Sequence, residues 1–406
     1  MSPAPPPAGA DPAGDAPALR IPPPAFLADP PLAAILAALP AARLVGGCVR
    51  DSIAGHPIAD IDLATPDPPA AVIRALAAGG LRTAPTGLAH GTVTAIAGHR
   101  GYEITTLRRD VATDGRHATV AFTDDWRADA ARRDFTINAL SMTADGAVFD
   151  YFGGLADLAA GRLRFVGDPA ARLAEDHLRS LRFFRFLARY ASAPPDAATL
   201  AALAAATPGL ARLSPERVWS ELKRILAAPD PTGAIALMSR LGILAAILPE
   251  GADPDRLARL VAAGAPADPL LRLAALLTGD PLALAARLRL STQEATHLAA
   301  LRTPAPEPGE TALRQALADT PRPILDHRLW LADAPATAHR LLDGLAVPVF
   351  AVHGRDLAKL GIPAGPDMGR ALARLRAWWR ETGCTADRAA CLAELRRWQG
   401  GPPDQR

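Results

Sequence analysis

The sequence predicts a small α/β head, a mixed sheet with helices, followed by a longer all-α neck, body and tail. Three observations carry this. Short β-rich runs alternate with helical stretches only up to about residue 160. Beyond that point nearly every segment is an Ala/Leu-rich amphipathic pattern broken by Pro, Gly or Asp. No fixed period recurs, which argues against a solenoid.

At 406 residues and 50% apolar, the chain is long enough for several domains with substantial cores. Its 44 basic and 42 acidic residues leave a net charge of +2, which excludes a protein that coats nucleic acid by charge alone. Charged residues at 21% exclude a wholly disordered chain. No apolar run approaches the roughly 20 residues of a membrane span. Cys48, Cys384 and Cys391 form neither a disulfide framework nor a zinc cluster. These features point to a cytoplasmic protein with no membrane partner. Alanine abundance and the near-exclusive use of Arg, with Lys only at Lys223 and Lys359, match a GC-rich coding background and carry no functional weight.

Taken in order, residues 1–24 are Pro/Ala/Gly-rich and read as a disordered leader without signal-peptide character. Leu44-Val45 is a strand that opens into Gly46-Gly47, and Ile58 to Ala64 alternates polar and apolar residues. Thr92–Ala97 and Tyr102–Leu107 are strands joined by Gly98-His99-Arg100-Gly101, a hairpin signal. Asn138 to Thr143 and Ala147 to Tyr151 suggest one more strand pair. Ser214-Pro215-Glu216 starts a helix, with Ser as N-cap and Pro at the first helical position.

Four stretches carry chemistry. In Leu44-Val45-Gly46-Gly47-Cys48-Val49-Arg50-Asp51, a strand passes through two glycines into a helix, so backbone amides can approach a phosphate closely. In Asp60-Ile61-Asp62, strand geometry projects both carboxylates from one surface about 7 Å apart. That arrangement suits hard cations such as Mg²⁺, and two ions about 4 Å apart serve phosphoryl transfer. An isolated Asp-x-Asp is more often a solvated edge, but its place after the glycine turn favours catalysis. If Tyr102, Ile104 and Thr106 share one strand face, Glu103 lies on the other as a third catalytic carboxylate.

The third stretch is Arg132-Arg133-Asp134-Phe135-Thr136-Ile137-Asn138. Adjacent guanidiniums can clamp a triphosphate, with Asp134 and Asn138 holding the geometry. The fourth runs from Glu175-Asp176 through Arg179, Arg182 and Arg185. Read as one helix, it sets an arginine stripe beside an apolar stripe of Leu178, Leu181, Phe184 and Leu187. Asp176 can accept from an exocyclic amino group while Arg179 donates to the adjacent ring nitrogen. Cytosine and adenine offer that pattern; guanine and uracil offer the reverse, and their mispaired polar groups would be rejected.

Together these stretches, in this order, resemble the class II tRNA nucleotidyltransferase and bacterial poly(A) polymerase family, over about residues 44–190. The resemblance implies a head similar to that of polymerase β. Gly46 and Gly47 would lie against the nucleotide, and Gly47, Arg50 and Arg133 would hold its phosphates and sugar. Asp60 and Asp62 would bind two Mg²⁺ ions, and Asp176 and Arg179 would read the base with Glu175 bracing Arg179. Arg182 and Arg185 would complete the pocket. It also implies tRNA, CTP and ATP as partners, CCA addition with release of pyrophosphate, and a division into head 25–158, neck 159–228, body 229–340 and RNA-binding tail 341–406. Ser214 to Leu222 looks like the family's helix-bracing motif, and Gly354-Arg355-Asp356-Leu357 with Gly361 to Gly369 looks like its tail signature. His297, His327, His339 and His353 show no His-Asp hydrolase arrangement. The rivals are a poly(A) polymerase, an enzyme adding only CC or only A, and an inactive RNA-binding protein. His90-Gly91-Thr92-Val93 favours the tRNA-directed branch, and the intact Asp pair argues against inactivity.

Overall fold

The structure, a computed structural model, describes residues 16–58, 60–113 and 118–399. Ten strands are present among them: β1 (Leu19–Arg20), β2 (Arg43–Val45), β3 (Asp62–Thr65), β4 (Arg82–Gly87), β5 (Thr92–Ala97), β6 (Arg100–Thr106), β7 (Arg108–Thr113), β8 (Ala118–Phe122), β9 (Ser141–Met142) and β10 (Ala147–Phe149). Eight of them form one sheet in the order β1-β10-β9-β2-β3-β6-β5-β4, while β7 and β8 pair separately. β3 and β6 run parallel and their neighbours pair antiparallel, so the sheet is mixed, as expected.

Alternation along the strands decides what each face does. Leu63, Val93, Ala95, Tyr102 and Ile104 point into a core completed by α1 (Pro30–Ala38), α2 (Gly47–Ala54) and α3 (Pro69–Ala78). Tyr102, Ile104 and Thr106 are all buried and Glu103 is exposed, as the strand period requires. The β5–β6 hairpin turns at Gly98 and His99, both with positive φ, which matches the right-handed twist of the strands they join.

Three expectations need correction. The leader stops short of residue 24, because Leu19–Arg20 adds to the open edge of β10, in register Leu19↔Val148, and Arg20 pairs with Asp145 at 2.7 Å. Residues 1–15 of that leader lie outside the described residues. The stretch 138–143 is a strand only at Ser141–Met142; Thr136–Asn138 is a 3₁₀ turn that lets Asp134 and Asn138 meet.

The third correction concerns the arginine helix. It is broken in two, α4 (Trp126–Ala131) and α5 (Gly154–Ala159) being followed by α6 (Pro169–Glu175) and α7 (Leu178–Tyr190). Asp176 between the last two is extended, with φ −152° and ψ 109°, and its Oδ1 accepts the Leu178 N–H at 3.0 Å. A short acidic side chain bonding the backbone two residues ahead offers the chain an alternative to the helix, and it prevails here. Leu187 is only half-buried, and Phe183 and Phe186 join Leu178, Leu181 and Phe184 in the core, clustering with Phe135 and Phe165.

The chain divides into two compact units, one ending at Ile247 and one beginning at Leu248. In the first, α8 (Ala197–Ala206) packs on α6, and α9 (Pro215–Leu226) and α10 (Thr232–Arg240) pack on α7. The second unit is helical, and its described helices include Pro254–Ala262, Pro269–Leu276, Thr292–Ala300, Arg322–Leu331, Gly354–Ala358 and Pro366–Glu381. In the tail signature, Asp356 is buried and joined to Arg388 at 2.7 Å, and Gly354 lets Met368 approach closely. Gly361, Gly365 and Gly369 border open space. Among the described residues no helix is long and apolar enough to cross a membrane.

The α6–α7 break is seated by His177 on Gly209, where an added Cβ would lie 2.3 Å from the imidazole. Gly209→Ala is therefore expected to destabilise the first unit by about 1–3 kcal/mol through overpacking. A lower denaturant midpoint with an unchanged slope would show it.

Candidate active site

The site is assembled where β2, β3 and β6 run side by side. β2 ends at Val45, paired with Asp62, and Asp62 pairs in turn with Glu103. Asp60 precedes β3 instead of lying within it. Ile61 is buried while Asp60 and Asp62 are exposed, so the extended alternation holds across the strand's start. Partial withdrawal from water, then Glu103, then Asp60 push the Asp62 carboxyl above its ordinary range, and Arg133 pulls the other way. Asp60, Asp62 and Glu103 thus share one field of negative charge that Arg133 offsets only in part.

That field fits a hard divalent cation. Among the described residues no group of three or more His, Cys, Asp or Glu is gathered tightly enough to hold a metal unaided. Mg²⁺ is commonly held in that open way, by one or two carboxylates together with substrate phosphates.

Across from Asp62, Gly46 turns the chain with φ 68° and ψ −122°, and α2 begins at Gly47. A side chain at Gly46 would be strained by that φ, and its Cβ would meet the Arg133 guanidinium at 3.1 Å. Arg133 and Arg132 are both tethered to the buried Asp129, at 3.3 and 2.9 Å. Asp129 holds both guanidiniums and so sets that of Arg133 beside the glycine turn; its part is not among the sequence expectations. Its spacing, three and four residues before the arginines on one helical turn, was the available signal.

Arg50 departs from the expected role at phosphates. It is 7% exposed and donates to Asp51 through Nε and Nη2, both at 3.0 Å, and to Asn138 at 2.5 Å. Asn138 donates to Asp134 at 3.0 Å, and Asp134 receives Arg182 at 2.5 Å. At the other end Tyr190 donates to Asp51 at 2.6 Å and its ring lies 4.3 Å from the Arg50 guanidinium carbon. Burial alone would raise the Asp134 carboxyl; Arg182, the Asn138 amide and the Phe135 N–H together hold it below its ordinary range. Arg50, Asp51, Asp134 and Asn138 form a buried polar chain beneath the glycine turn.

Glu175 braces Arg179, as expected, and also holds Arg172 at 2.9 Å. Arg179 donates further to the Arg172 and Arg132 carbonyls, at 3.0 and 3.3 Å, tying α7 to the end of α4. Asp176 is ion-paired with Arg217 of α9 at 2.8 Å. Arg185 reaches Glu221 of the same helix at 3.3 Å, and burial pulls its guanidinium down to about 10, only partly offset by Glu221. Arg217 and Glu221 lie one helical turn apart in the bracing motif; their individual partners were not legible in sequence.

Comparison with known proteins places the chain in a family. A model of the poly A polymerase head domain matches residues 42–164, and one described as the probable RNA and SrmB-binding site of polymerase A matches residues 195–253. CCA tRNA nucleotidyltransferase 1, mitochondrial, of Mus musculus is 36% identical, covering 87% of this chain and 86% of the mouse protein. The chain belongs to the CCA tRNA nucleotidyltransferase family. The human counterpart is likewise 36% identical over the same shares. The CCA-adding enzyme of Limosilactobacillus fermentum is 39% identical over 48% of each chain. Among solved structures, the Bacillus stearothermophilus CCA-adding enzyme in complex with CTP is 26% identical with a TM-score of 0.74, covering 91% of this chain and 98% of that one. Thermotoga maritima CCA-adding enzyme complexed with tRNA, at 20% identity and a TM-score of 0.59, shares the fold. The enzyme class and CCA-adding activity expected from the sequence hold. The family implies use of a divalent metal.

Because Asp62 carries a raised pKa, its ionised form costs the metal-free fold stability as pH rises through the folded pKa. Asp62→Asn should therefore raise the melting midpoint of metal-free protein at pH 7 while lowering nucleotide incorporation about 10³-fold, the scale of losing several kcal/mol of metal-derived stabilisation. Calorimetry in EDTA beside a single-turnover assay would measure both.

Proposed function

We propose that Asp60, Asp62 and Glu103 are the catalytic carboxylates, with Asp60 and Asp62 as ligands to two Mg²⁺ ions. The register of Val45 with Asp62 and of Asp62 with Glu103 supports this reading, since it brings two of the carboxylates beside the glycine turn, with Asp60 two residues ahead of Asp62. Held by Asp60 and Asp62, such ions would supply Lewis-acid stabilisation of the charge that develops on the attacking and leaving oxygens. The chain's own part is to place the reactants. Gly46 and Gly47 keep side chains away from the triphosphate, the first amides of α2 lack intrahelical acceptors, and Arg132 and Arg133 donate to phosphate oxygens. Arg50, Asp134 and Asn138 hold the turn from beneath.

Asp176 and Arg179 accept C or A and reject G or U, with Glu175 fixing Arg179 and with Arg182 and Arg185 closing the pocket. On this reading the enzyme adds CCA to tRNA 3′ ends from CTP and ATP without a nucleic-acid template. The division into head 25–158, neck 159–228, body 229–340 and RNA-binding tail 341–406 belongs to the same proposal. So does a cytoplasmic location, supported by three buried free cysteines, which suit a reducing compartment.

Transcripts ending at the discriminator base, at C and at CC, given each nucleotide alone and then CTP with ATP, test the reading. Ordered addition of C, C and A followed by a stop is expected; long A tails on any RNA would overturn it. Asp176→Ala should erase most of the preference for CTP and ATP over GTP and UTP, a mispairing discrimination on the order of 10⁴, while leaving Mg²⁺ dependence intact. Arg217→Ala should move the same ratio in the same direction but less far, because Asp176 keeps its charge and loses its brace.

A further inference from the structure

Most arginines flanking the α6–α7 break and in the C-terminal helices are occupied within the fold. Arg162 and Arg164 pair with Asp157, and Arg172 and Arg182 pair with Glu175 and Asp134. Arg376 and Arg380 share Asp319, Arg370 pairs with Asp367, and Arg374 lies 4.2 Å over Trp398.

Three arginines of the second unit differ. Arg256 sits in the first turn of the helix Pro254–Ala262, Arg302 follows the helix Thr292–Ala300, and Arg328 lies in the helix Arg322–Leu331. All three line one open pocket of about 150 Å³, with Ala274, Leu301, Thr303, Pro304 and Leu331 among its walls. None of the three makes an ion pair with a carboxylate among the described residues.

Each is steadied instead by backbone carbonyls. Arg328 donates through Nε to Ala300 at 2.8 Å, and Arg256 donates to Leu331 at 3.5 Å. Arg302 donates to Thr278 at 3.1 Å and to Gly279, both through Nη2. Arg328 is half-buried, and burial lowers its guanidinium with no acid offsetting it. A guanidinium carries five N–H donors, so most donors of this trio remain available. Gathering three like charges around one concavity with none of them ion-paired is electrostatically unfavourable, and a bound dianion would reverse that.

We propose that Arg256, Arg302 and Arg328 form a second phosphate-binding site, outside the nucleotidyl-transfer centre and independent of the roles assigned there. The recognised group is a phosphate, either free in solution or borne on an RNA backbone.

The test uses the full chain and the single variants Arg256→Gln and Arg302→Gln, with the exposed Arg340→Gln as a surface control. In one arm, melting temperature is followed against inorganic phosphate at constant ionic strength. In the other, binding of tRNA lacking its CCA end is followed against salt concentration. A saturable rise in melting temperature, weakened at least 10-fold in phosphate affinity by either variant, supports a free-phosphate site. A fall of about one in the salt slope of tRNA binding, in either variant and without phosphate protection, supports a backbone phosphate. Circular dichroism and unchanged incorporation on a saturating tRNA would show that the variants are folded. If folded variants match wild type in both arms, or Arg340→Gln behaves like them, the site does not exist.

Discussion

The buried polar chain from Tyr190 through Asp51, Arg50, Asn138 and Asp134 to Arg182 is the interaction on which the first unit depends. It begins and ends on α7 and passes through α2 and the 134–138 turn. α7 is thereby locked at two points, to α2 and to the 134–138 turn. Each member needs the next: a buried carboxylate or guanidinium left unpaired is costly, and breaking such a pair typically costs about 3–5 kcal/mol. The positions of the glycine turn and of the arginine helix are therefore not independent of one another.

Above this neutralised layer the balance is reversed. Glu103 on the paired strand and Asp60 just before β3 both repel Asp62, and Arg133 offsets them in part. Stability is thus concentrated beneath the glycine turn, while the carboxylates above it keep a net negative charge. Arg132 and Arg133 mark the boundary between the layers. Asp129 fixes one side of each guanidinium, and Arg133 also reaches the Asn138 carbonyl through Nη1 at 3.5 Å.

The carboxylates and the glycine turn were legible because their signals are local: a period of two along a strand, and a backbone that only glycine tolerates. Glu103 was found by the same alternation, from the apolar character of Tyr102 and Ile104 alone. The helix break at Asp176 was not legible, since Glu175 to Phe186 satisfies helical periodicity throughout. Asp176 bonding the Leu178 amide and Arg217 reaching it from α9 decide the break. Arg50 was misassigned for a related reason. An arginine after a glycine turn reads as a phosphate ligand until Asp51, Asn138 and Tyr190, remote from one another in sequence, are seen to enclose it.

By itself the sequence determined the mixed α/β head, the helical remainder, the residue types of the active site and their order along the chain. These follow from side-chain chemistry and short-range periodicity, which act within a few residues. Which charges face a substrate and which face each other was decided by tertiary structure alone. That outcome depends on burial and on partners tens of residues away, as with Asp176 and Arg217 or Asp134 and Arg182. The uncompensated trio of Arg256, Arg302 and Arg328 arises the same way, from three separate segments folded around one concavity.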